Sequence, residues 1–126
     1  MPKASVLVVD DSQLARREVV SALGPEYDVS EAEHGAAGLS AARQRRFDVV
    51  LTDVNMPVMG GIELTRLLRA LPDYASTPIF AITTESSPDL VDRGRAAGVT
   101  AWVVKPINPT TLARAVETVL ARQAAG

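Results

Sequence analysis

The sequence predicts an α/β fold of the doubly wound (βα)5 type, in which five parallel strands alternate with five helices. Short apolar runs recur along the chain between longer amphipathic stretches. Several of these runs are β-branched and nearly continuous, which is typical of strands buried on both faces. The 126 residues contain no repeat, low-complexity segment or long linker. We therefore expect one domain over residues 1–126.

The predicted strands are the short apolar runs themselves. They cover residues 5–9, 27–31, 48–52, 78–83 and 101–104. The second run is weaker than the others, and its Glu31 suits a strand at the edge of the sheet. The alternation of strands and helices predicts parallel pairing with right-handed crossovers, while periodicity alone leaves the strand order open.

Apolar residues at helical spacing define the inner faces of the first, second, third and fifth predicted helices. They are Ala15, Val19 and Leu23; Gly38, Leu39 and Ala42; Leu64, Leu67, Leu68 and Leu71; and Leu112, Val116, Val119 and Leu120. The first helix is expected to end at Gly24-Pro25 and the third at Pro72.

Helix start signals are clear at three places. Ser12 is a good N-cap, and Ser87-Pro88 and Asn108-Pro109 each place a capping residue before a proline at the first helical position. The fourth helix is expected to end near Gly98. Because Gly94 in its middle costs about 1 kcal/mol relative to alanine, we expect this helix to be marginal or mobile.

Composition narrows the possible functions. The formal net charge is −2, with 13 basic and 15 acidic side chains, which gives no bulk reason to bind nucleic acid. Without cysteine, and with one histidine, the chain cannot build thiolate or His-rich sites. A metal would therefore bind oxygen ligands, which favours Mg²⁺, Mn²⁺ or Ca²⁺. The apolar run near the N-terminus is too short to cross a membrane, so we expect a cytoplasmic protein without membrane insertion.

Polar side chains stand where four of the predicted strands end. They are Asp10 and Asp11 after the first, Asp53 after the third, Thr83 at the end of the fourth and Lys105 after the fifth. In a parallel sheet these ends share the edge at which ligands bind. Three neighbouring carboxylates repel each other, and a divalent cation relieves that repulsion. Together with an ammonium and a hydroxyl group, they provide the parts for phosphoryl transfer.

Asp53 is the best candidate for a nucleophile among these carboxylates. A carboxylate can attack phosphorus and form an aspartyl phosphate. The loop that follows, residues 53–61, is rich in turn-forming residues and can bring the backbone carbonyl of Asn55 to a metal.

Each of these residues also has a plainer interpretation. The Asp10-Asp11 pair could simply cap the first helix, since aspartate is a good N-cap. Asp53 could be a turn residue, and Lys105 could be a solvated surface lysine. Thr84 could replace its neighbour Thr83 as the functional hydroxyl group. Because such residues occur together at four strand ends, the functional interpretation is favoured over these plainer ones.

In order and spacing these residues resemble the receiver domains of two-component response regulators. The resemblance covers nearly the whole chain and is carried by Asp10-Asp11, Asp53 with Met56-Pro57 and Gly61, Thr83 and Lys105-Pro106. The chain looks most like the stand-alone, chemotaxis-type (CheY-like) members. The resemblance implies a flavodoxin-like sheet of order 2-1-3-4-5 and a single receiver domain without an output domain.

The resemblance also implies what the carboxylates do. Asp53 would accept a phosphoryl group from a histidine kinase. Mg²⁺ would be the cofactor, held by Asp10, Asp11, Asp53 and the backbone carbonyl of Asn55. The chain would catalyse only its own phosphorylation and dephosphorylation, and it would not otherwise be an enzyme.

The other residues of the motif would read out the phosphoryl group. Lys105 would pair with it, Thr83 would move to hydrogen-bond it, and Pro106 would follow a cis peptide bond that orients Lys105. Trp102 departs from the family pattern, in which tyrosine or phenylalanine is common. An indole is larger than a phenol and only donates through its N–H, so the partner and amplitude of any Trp102 switch are open.

The implied function is a phosphorylation-activated signalling switch. Asn55 and Glu85 would tune hydrolysis of the phosphoryl group, and the fourth helix, fifth strand and fifth helix would bind a partner. A flagellar-motor switch protein is the partner expected of a chemotaxis protein, and a phosphate sink or shuttle is equally compatible. We expect a monomer.

Three competing functions remain for comparison. An aspartyl phosphatase would carry its nucleophile after the first strand with a second aspartate two residues on, whereas Asp10-Asp11-Ser12-Gln13 does not fit. A flavodoxin-like cofactor binder needs a phosphate-cradling loop at that place, where two aspartates would repel phosphate. A receiver-like interaction module that is never phosphorylated is the third.

Overall fold

Five strands and five helices alternate along the part of the chain that the computed structural model describes, residues 2–125. The strands are β1 (Ala4–Val9), β2 (Tyr27–Ala32), β3 (Val49–Thr52), β4 (Ile79–Thr83) and β5 (Ala101–Val104). The helices are α1 (Gln13–Leu23), α2 (Gly35–Gln44), α3 (Gly61–Arg69), α4 (Pro88–Ala97) and α5 (Pro109–Ala125), with a short 3₁₀ turn at Pro72–Tyr74. The alternation confirms the predicted α/β class.

The strands pair in parallel in the order β2-β1-β3-β4-β5. This is the flavodoxin-like order that the resemblance implied. Val9 at the end of β1 pairs with Ala32 on one side and Thr52 on the other. Thr83 at the end of β4 pairs with Val104 at the end of β5. The carboxyl ends of the strands therefore meet along one side of the sheet, the carboxyl edge.

The strand bounds agree with the sequence patterns to within one residue at an end, and β5 agrees at both ends. One helix assignment was wrong. Leu71 was placed on the inner stripe of the third helix, but α3 ends at Arg69 and Leu71 is extended, with φ −85° and ψ 126°. The proline that follows disfavours the helical conformation at Leu71. Its side chain nevertheless packs against the core.

The core lies on both faces of the sheet because successive strand residues point to opposite sides. Leu7 and Val9 of β1 join a cluster with α2 and α3. Val6 and Val8, which alternate with these two residues along β1, join a second cluster with α1 and α5. All four side chains are almost completely buried, which explains the continuous apolar run in the sequence.

The predicted caps are present. Ser12 and Ser87 accept backbone N–H groups at the starts of α1 and α4, and the side chain of Asn108 does so at α5. His34 is exposed and caps α2 by accepting the N–H of Ala37 on Nδ1 at 3.0 Å. Within residues 2–125, no helix combines the length and apolar character that crossing a bilayer requires.

A buried tyrosine joins the C-terminal end of α2 to the segment that leads into β3, and the sequence analysis missed it. Tyr74 is 1% exposed. Its hydroxyl oxygen accepts the N–H of Phe47 at 3.1 Å and lies 2.9 Å from the carbonyls of Ala42 and Arg45. Burial raises the pKa of this hydroxyl group. One side chain thus satisfies backbone groups that the end of a helix would otherwise leave without partners.

Tyr74→Phe should lower the free energy of unfolding by about 1–3 kcal/mol, because it leaves buried backbone groups unpaired. Urea denaturation followed by circular dichroism measures the change. Tyr27→Phe is the matched control, since the Tyr27 hydroxyl makes no hydrogen bond within residues 2–125. Equal, small effects of the two substitutions would contradict the role given to Tyr74.

Candidate functional site

The carboxyl edge brings three carboxylates together. Asp10 follows β1 with Asp11 beside it, and Asp53 follows β3. One oxygen atom of each lies within 4.8 Å of the others. Asp10 and Asp53 are 5% and 9% exposed, whereas Asp11 faces solvent. The neighbouring strands β1 and β3 therefore place two largely buried negative charges next to each other.

Lys105 is the positive charge of this cluster. Its Nζ lies 3.0 Å from Asp10 Oδ2 and 3.5 Å from Asp53 Oδ2. Burial by itself would lower the pKa of Lys105, but the hydrogen bond to Asp10 and the charge of Asp53 outweigh it and raise the pKa. The side chain is therefore held in its charged form between the carboxylates and is not a solvated surface lysine.

Asp53 is oriented by the start of its own loop. Its Oδ1 atom accepts the N–H groups of Val54 at 2.7 Å and Asn55 at 3.4 Å. Burial and the charge of Asp10 raise the pKa of Asp53, against the opposing effects of Lys105 and these N–H groups. Because Oδ1 is occupied by the backbone, Oδ2 is the oxygen that faces the centre of the cluster.

The loop after Asp53 folds back tightly on itself. The N–H of Gly61, the first residue of α3, donates to the carbonyl of Val54 at 3.0 Å. A Cβ atom at Gly61 would collide with the carbonyl oxygen of Asp53. The glycine in the sequence motif is therefore needed for α3 to approach the loop after Asp53 this closely.

The cluster has the chemistry of a site for a hard divalent cation. Asp10, Asp11 and Asp53 offer oxygen ligands within a few ångströms of one another, and such ions prefer carboxylate, carbonyl and water oxygen. The side chain of Asp11 is exposed, which leaves room for water ligands. These residues fit Mg²⁺. Asn55 lies in the adjoining loop, and its carbonyl as a fourth ligand stays a prediction.

The structure separates the two neighbouring threonines. Thr83 ends β4 and is 1% exposed, whereas Thr84 is exposed. The Oγ1 atom of Thr83 accepts the N–H of Glu85 at 3.4 Å. The sequence favoured Thr83, and its place at the carboxyl edge is consistent with that prediction.

Glu85 connects three parts of the site. Its carboxylate accepts the side-chain amide of Asn55 at 2.6 Å, so the loops after β3 and β4 are joined beside Asp53. Its backbone carbonyl accepts the indole N–H of Trp102 at 2.9 Å. The open question about the partner of Trp102 is thus answered for this conformation: the indole is fixed to the loop after β4.

Gly94 has a packing reason that the sequence analysis missed. Its low helix propensity predicts a weak point in α4, but a Cβ atom there would lie 2.7 Å from Cζ3 of Trp102. The half-buried indole occupies the space that any larger residue in α4 would need. The large residue in β5 and the small residue in α4 therefore form a complementary pair.

The remaining motif residue is Pro106. The peptide bond between Lys105 and Pro106 is cis, as the resemblance implied. The backbone N–H of Lys105 donates to the carbonyl of Thr83 at 2.8 Å, which fixes the lysine to the end of β4. All the predicted strand-end residues therefore lie at the carboxyl edge.

Arg16 is a further charged residue at the site, and the sequence analysis did not predict its role. Arg16 of α1 donates from Nη1 to the backbone carbonyl of Asp10 and from Nε to Glu31 at 3.0 Å. No sequence signal separates it from Arg17 beside it. Only the fold shows which of the two faces the acidic cluster.

The fold and the site define the class of protein. The profile of the response regulator receiver domain matches residues 6–117, and the chain belongs to this family. Its function is phosphorylation-activated two-component signalling.

Several chemotaxis proteins are similar to this chain. The chemotaxis protein CheY homolog of Campylobacter jejuni is 40% identical in an alignment of 119 residues that covers 91% of this chain and 91% of that protein. Chemotaxis protein CheY1 of Helicobacter pylori strain J99 is 41% identical over 121 residues, covering 91% of this chain and 95% of that protein. The crystal structure of Vibrio cholerae CheY4 superposes with a TM-score of 0.88 at 44% identity, covering 94% of this chain and 99% of that one.

Asp53→Asn should stabilise the cation-free protein at pH 7. The pKa of Asp53 is higher in the folded state than in the unfolded state, so the folded state binds more protons. The free energy of unfolding therefore falls as the pH rises from the Asp53 pKa of the unfolded state to that of the folded state. The substitution removes that penalty. Thermal unfolding should show a higher midpoint for the variant at pH 7, with the difference shrinking at acidic pH. A midpoint difference that does not change with pH would contradict this account.

Gly94→Ala should destabilise the protein although alanine is the better helix former. In a free helix the change would gain about 1 kcal/mol, but overpacking against Trp102 costs about 1–3 kcal/mol. Urea denaturation gives the net effect. In a Trp102→Phe background the same substitution should lose most of its penalty. A stabilising effect of Gly94→Ala with Trp102 in place would contradict the packing argument.

Proposed function

We propose that Asp53 accepts a phosphoryl group from the phosphohistidine of a histidine kinase, with Mg²⁺ held at Asp10, Asp11, Asp53 and the Asn55 carbonyl. The observation that carries the proposal is the cluster of three carboxylates with Lys105 between two of them. In this proposal the chain catalyses only its own phosphorylation and dephosphorylation. It acts in the cytoplasm as a monomeric receiver.

The chemistry is an in-line displacement at phosphorus. An oxygen of Asp53 forms the new bond to phosphorus, the bond from phosphorus to the histidine nitrogen breaks, and the electron pair stays on the leaving imidazole. When bound, Mg²⁺ neutralises charge on the phosphoryl oxygens. Lys105 is already charged and 3.5 Å from Asp53 Oδ2, so a small movement of its side chain allows it to pair with the incoming group.

The switch runs through contacts that already join the site to β5. In the proposed switch Thr83 turns its hydroxyl group toward the phosphoryl group and gives up the N–H of Glu85. Glu85 holds the indole of Trp102, so movement of the loop after β4 reaches the surface of β5. Asn55 and Glu85 close one side of the acceptor and control the access of water to it.

Exposed apolar side chains support a protein as the phosphoryl donor. The large hydrophobic residues that are exposed among the described residues are Leu14, Val58 and Val104. Leu14 lies at the start of α1, Val58 in the loop after Asp53 and Val104 at the end of β5, so each is at the carboxyl edge. Apolar groups around a charged pocket are suited to contact with another protein surface.

The relatives support a proposal for the downstream partner. Those named above are chemotaxis proteins, and on that ground the proposed pathway is chemotaxis with a flagellar-motor switch protein as the target. A phosphate sink or shuttle uses the same site without such a target. Binding of the motor protein to the phosphorylated form distinguishes the two roles.

Acetyl phosphate should phosphorylate the chain in the presence of Mg²⁺. Intact-mass spectrometry should show the gain of one phosphoryl group, dependent on Mg²⁺ and absent in Asp53→Asn. Lys105→Met is a second variant that should slow the reaction while leaving the acceptor in place, because it removes the charge that meets the phosphoryl group.

The outcome also tests the chief alternative, a receiver-like module that is never phosphorylated. Fresh donor and rapid quenching are needed because acyl phosphates hydrolyse. If the native chain gains no mass under these conditions while it binds Mg²⁺, the phosphorylation proposal is wrong and the unphosphorylated module replaces it.

A further inference from the structure

We propose that Arg16 is a positioning residue for the cation site, acting by holding the main chain at Asp10. The inference rests on the proposed function only in taking Asp10 as a ligand of Mg²⁺. Arg16 lies in α1, and 12% of its side chain is exposed. A guanidinium group withdrawn from water in this way requires partners, and it has one on each side: the Asp10 carbonyl and the Glu31 carboxylate.

The hydrogen bond from Arg16 completes the restraint of Asp10. The backbone N–H of Asp10 donates to the carbonyl of Ala32 at 3.1 Å, and its Oδ1 accepts the N–H of Ser12 at 2.9 Å. Arg16 holds the one remaining backbone group, the carbonyl. The peptide that joins Asp10 to Asp11 is thereby fixed, and with it the directions from which both carboxylates approach a cation.

Glu31 makes this arrangement compatible with cation binding. A bare guanidinium group this close to the ligands would repel a divalent cation. The carboxylate of Glu31 lies 3.0 Å from Arg16 Nε and offsets that charge. Because Glu31 belongs to the edge strand β2 and Arg16 to α1, the pair also ties both elements to the end of β1. Groups outside the ligand set that orient ligands in this way commonly change metal affinity by about 10- to 100-fold when removed.

Arg17 provides a matched control. It is the next residue in the same helix, carries the same charge and is exposed. It makes no hydrogen bond or ion pair with another side chain within residues 2–125. Arg17→Gln therefore changes the net charge as Arg16→Gln does without touching Asp10.

The experiment measures the dissociation constant of Mg²⁺ by following amide chemical shifts of the full chain during titration. Arg16→Gln should weaken binding by about tenfold. Glu31→Gln should weaken it by a smaller factor, since it leaves the charge of Arg16 without its partner. Arg16→Lys keeps the charge but cannot bind both groups with a planar fork, so it should restore part of the affinity. Arg17→Gln should leave the affinity unchanged or slightly improve it.

Three results would overturn the proposal. Tighter Mg²⁺ binding by Arg16→Gln would show that Arg16 acts only as a repelling charge. A lower thermal midpoint for Arg16→Gln with an unchanged dissociation constant would show that it merely stabilises the fold. If the native chain does not bind Mg²⁺, the cation site itself is wrong and this proposal fails with it. If the native chain binds Mg²⁺ and Arg16→Gln binds it equally well, only this proposal is wrong.

Discussion

The repulsion between carboxylates at the end of β1 and β3 is the constraint on which the site depends. Oxygen atoms of Asp10, Asp11 and Asp53 lie within 4.8 Å of one another, and two of these residues are almost buried. Lys105 balances part of this charge, but burial and the charge of Asp10 together still raise the pKa of Asp53. The excess negative charge favours the binding of a divalent cation. The bound cation and Lys105 then provide the positive charge that a phosphoryl group requires.

The surrounding structure keeps these charges together at short range. Gly61 allows α3 to pack against the loop after Asp53, and Glu85 joins the loops after β3 and β4 through Asn55. The same glutamate holds Trp102, whose ring fits against α4 only because residue 94 is glycine. The site and the surface of β5 are therefore linked by direct contacts, which is the physical requirement for a switch that passes a local change to a partner.

The sequence predicted what depends on local pattern and on strand ends. Continuous apolar runs located the strands, and polar residues that follow them, such as Asp53 and Lys105, identified the carboxyl edge. The sheet order came from resemblance, because periodicity does not determine which strands are neighbours. Contacts between residues distant in the sequence could not be predicted from local pattern. The reason for a glycine at position 94 is its contact with Trp102, eight residues away on another element. Arg16 differs from Arg17 only in the face of α1 that it occupies.

A crystal soaked in Mn²⁺, which stands in for Mg²⁺ and is located by its anomalous scattering, tests the central claim most directly. The account predicts one ion bound by Asp10, Asp11 and Asp53, with Lys105 Nζ moved away from its 3.0 Å contact with Asp10. It would be contradicted by Lys105 remaining between the carboxylates with no ion there at saturating Mn²⁺, because the lysine alone would then satisfy the charge of the cluster.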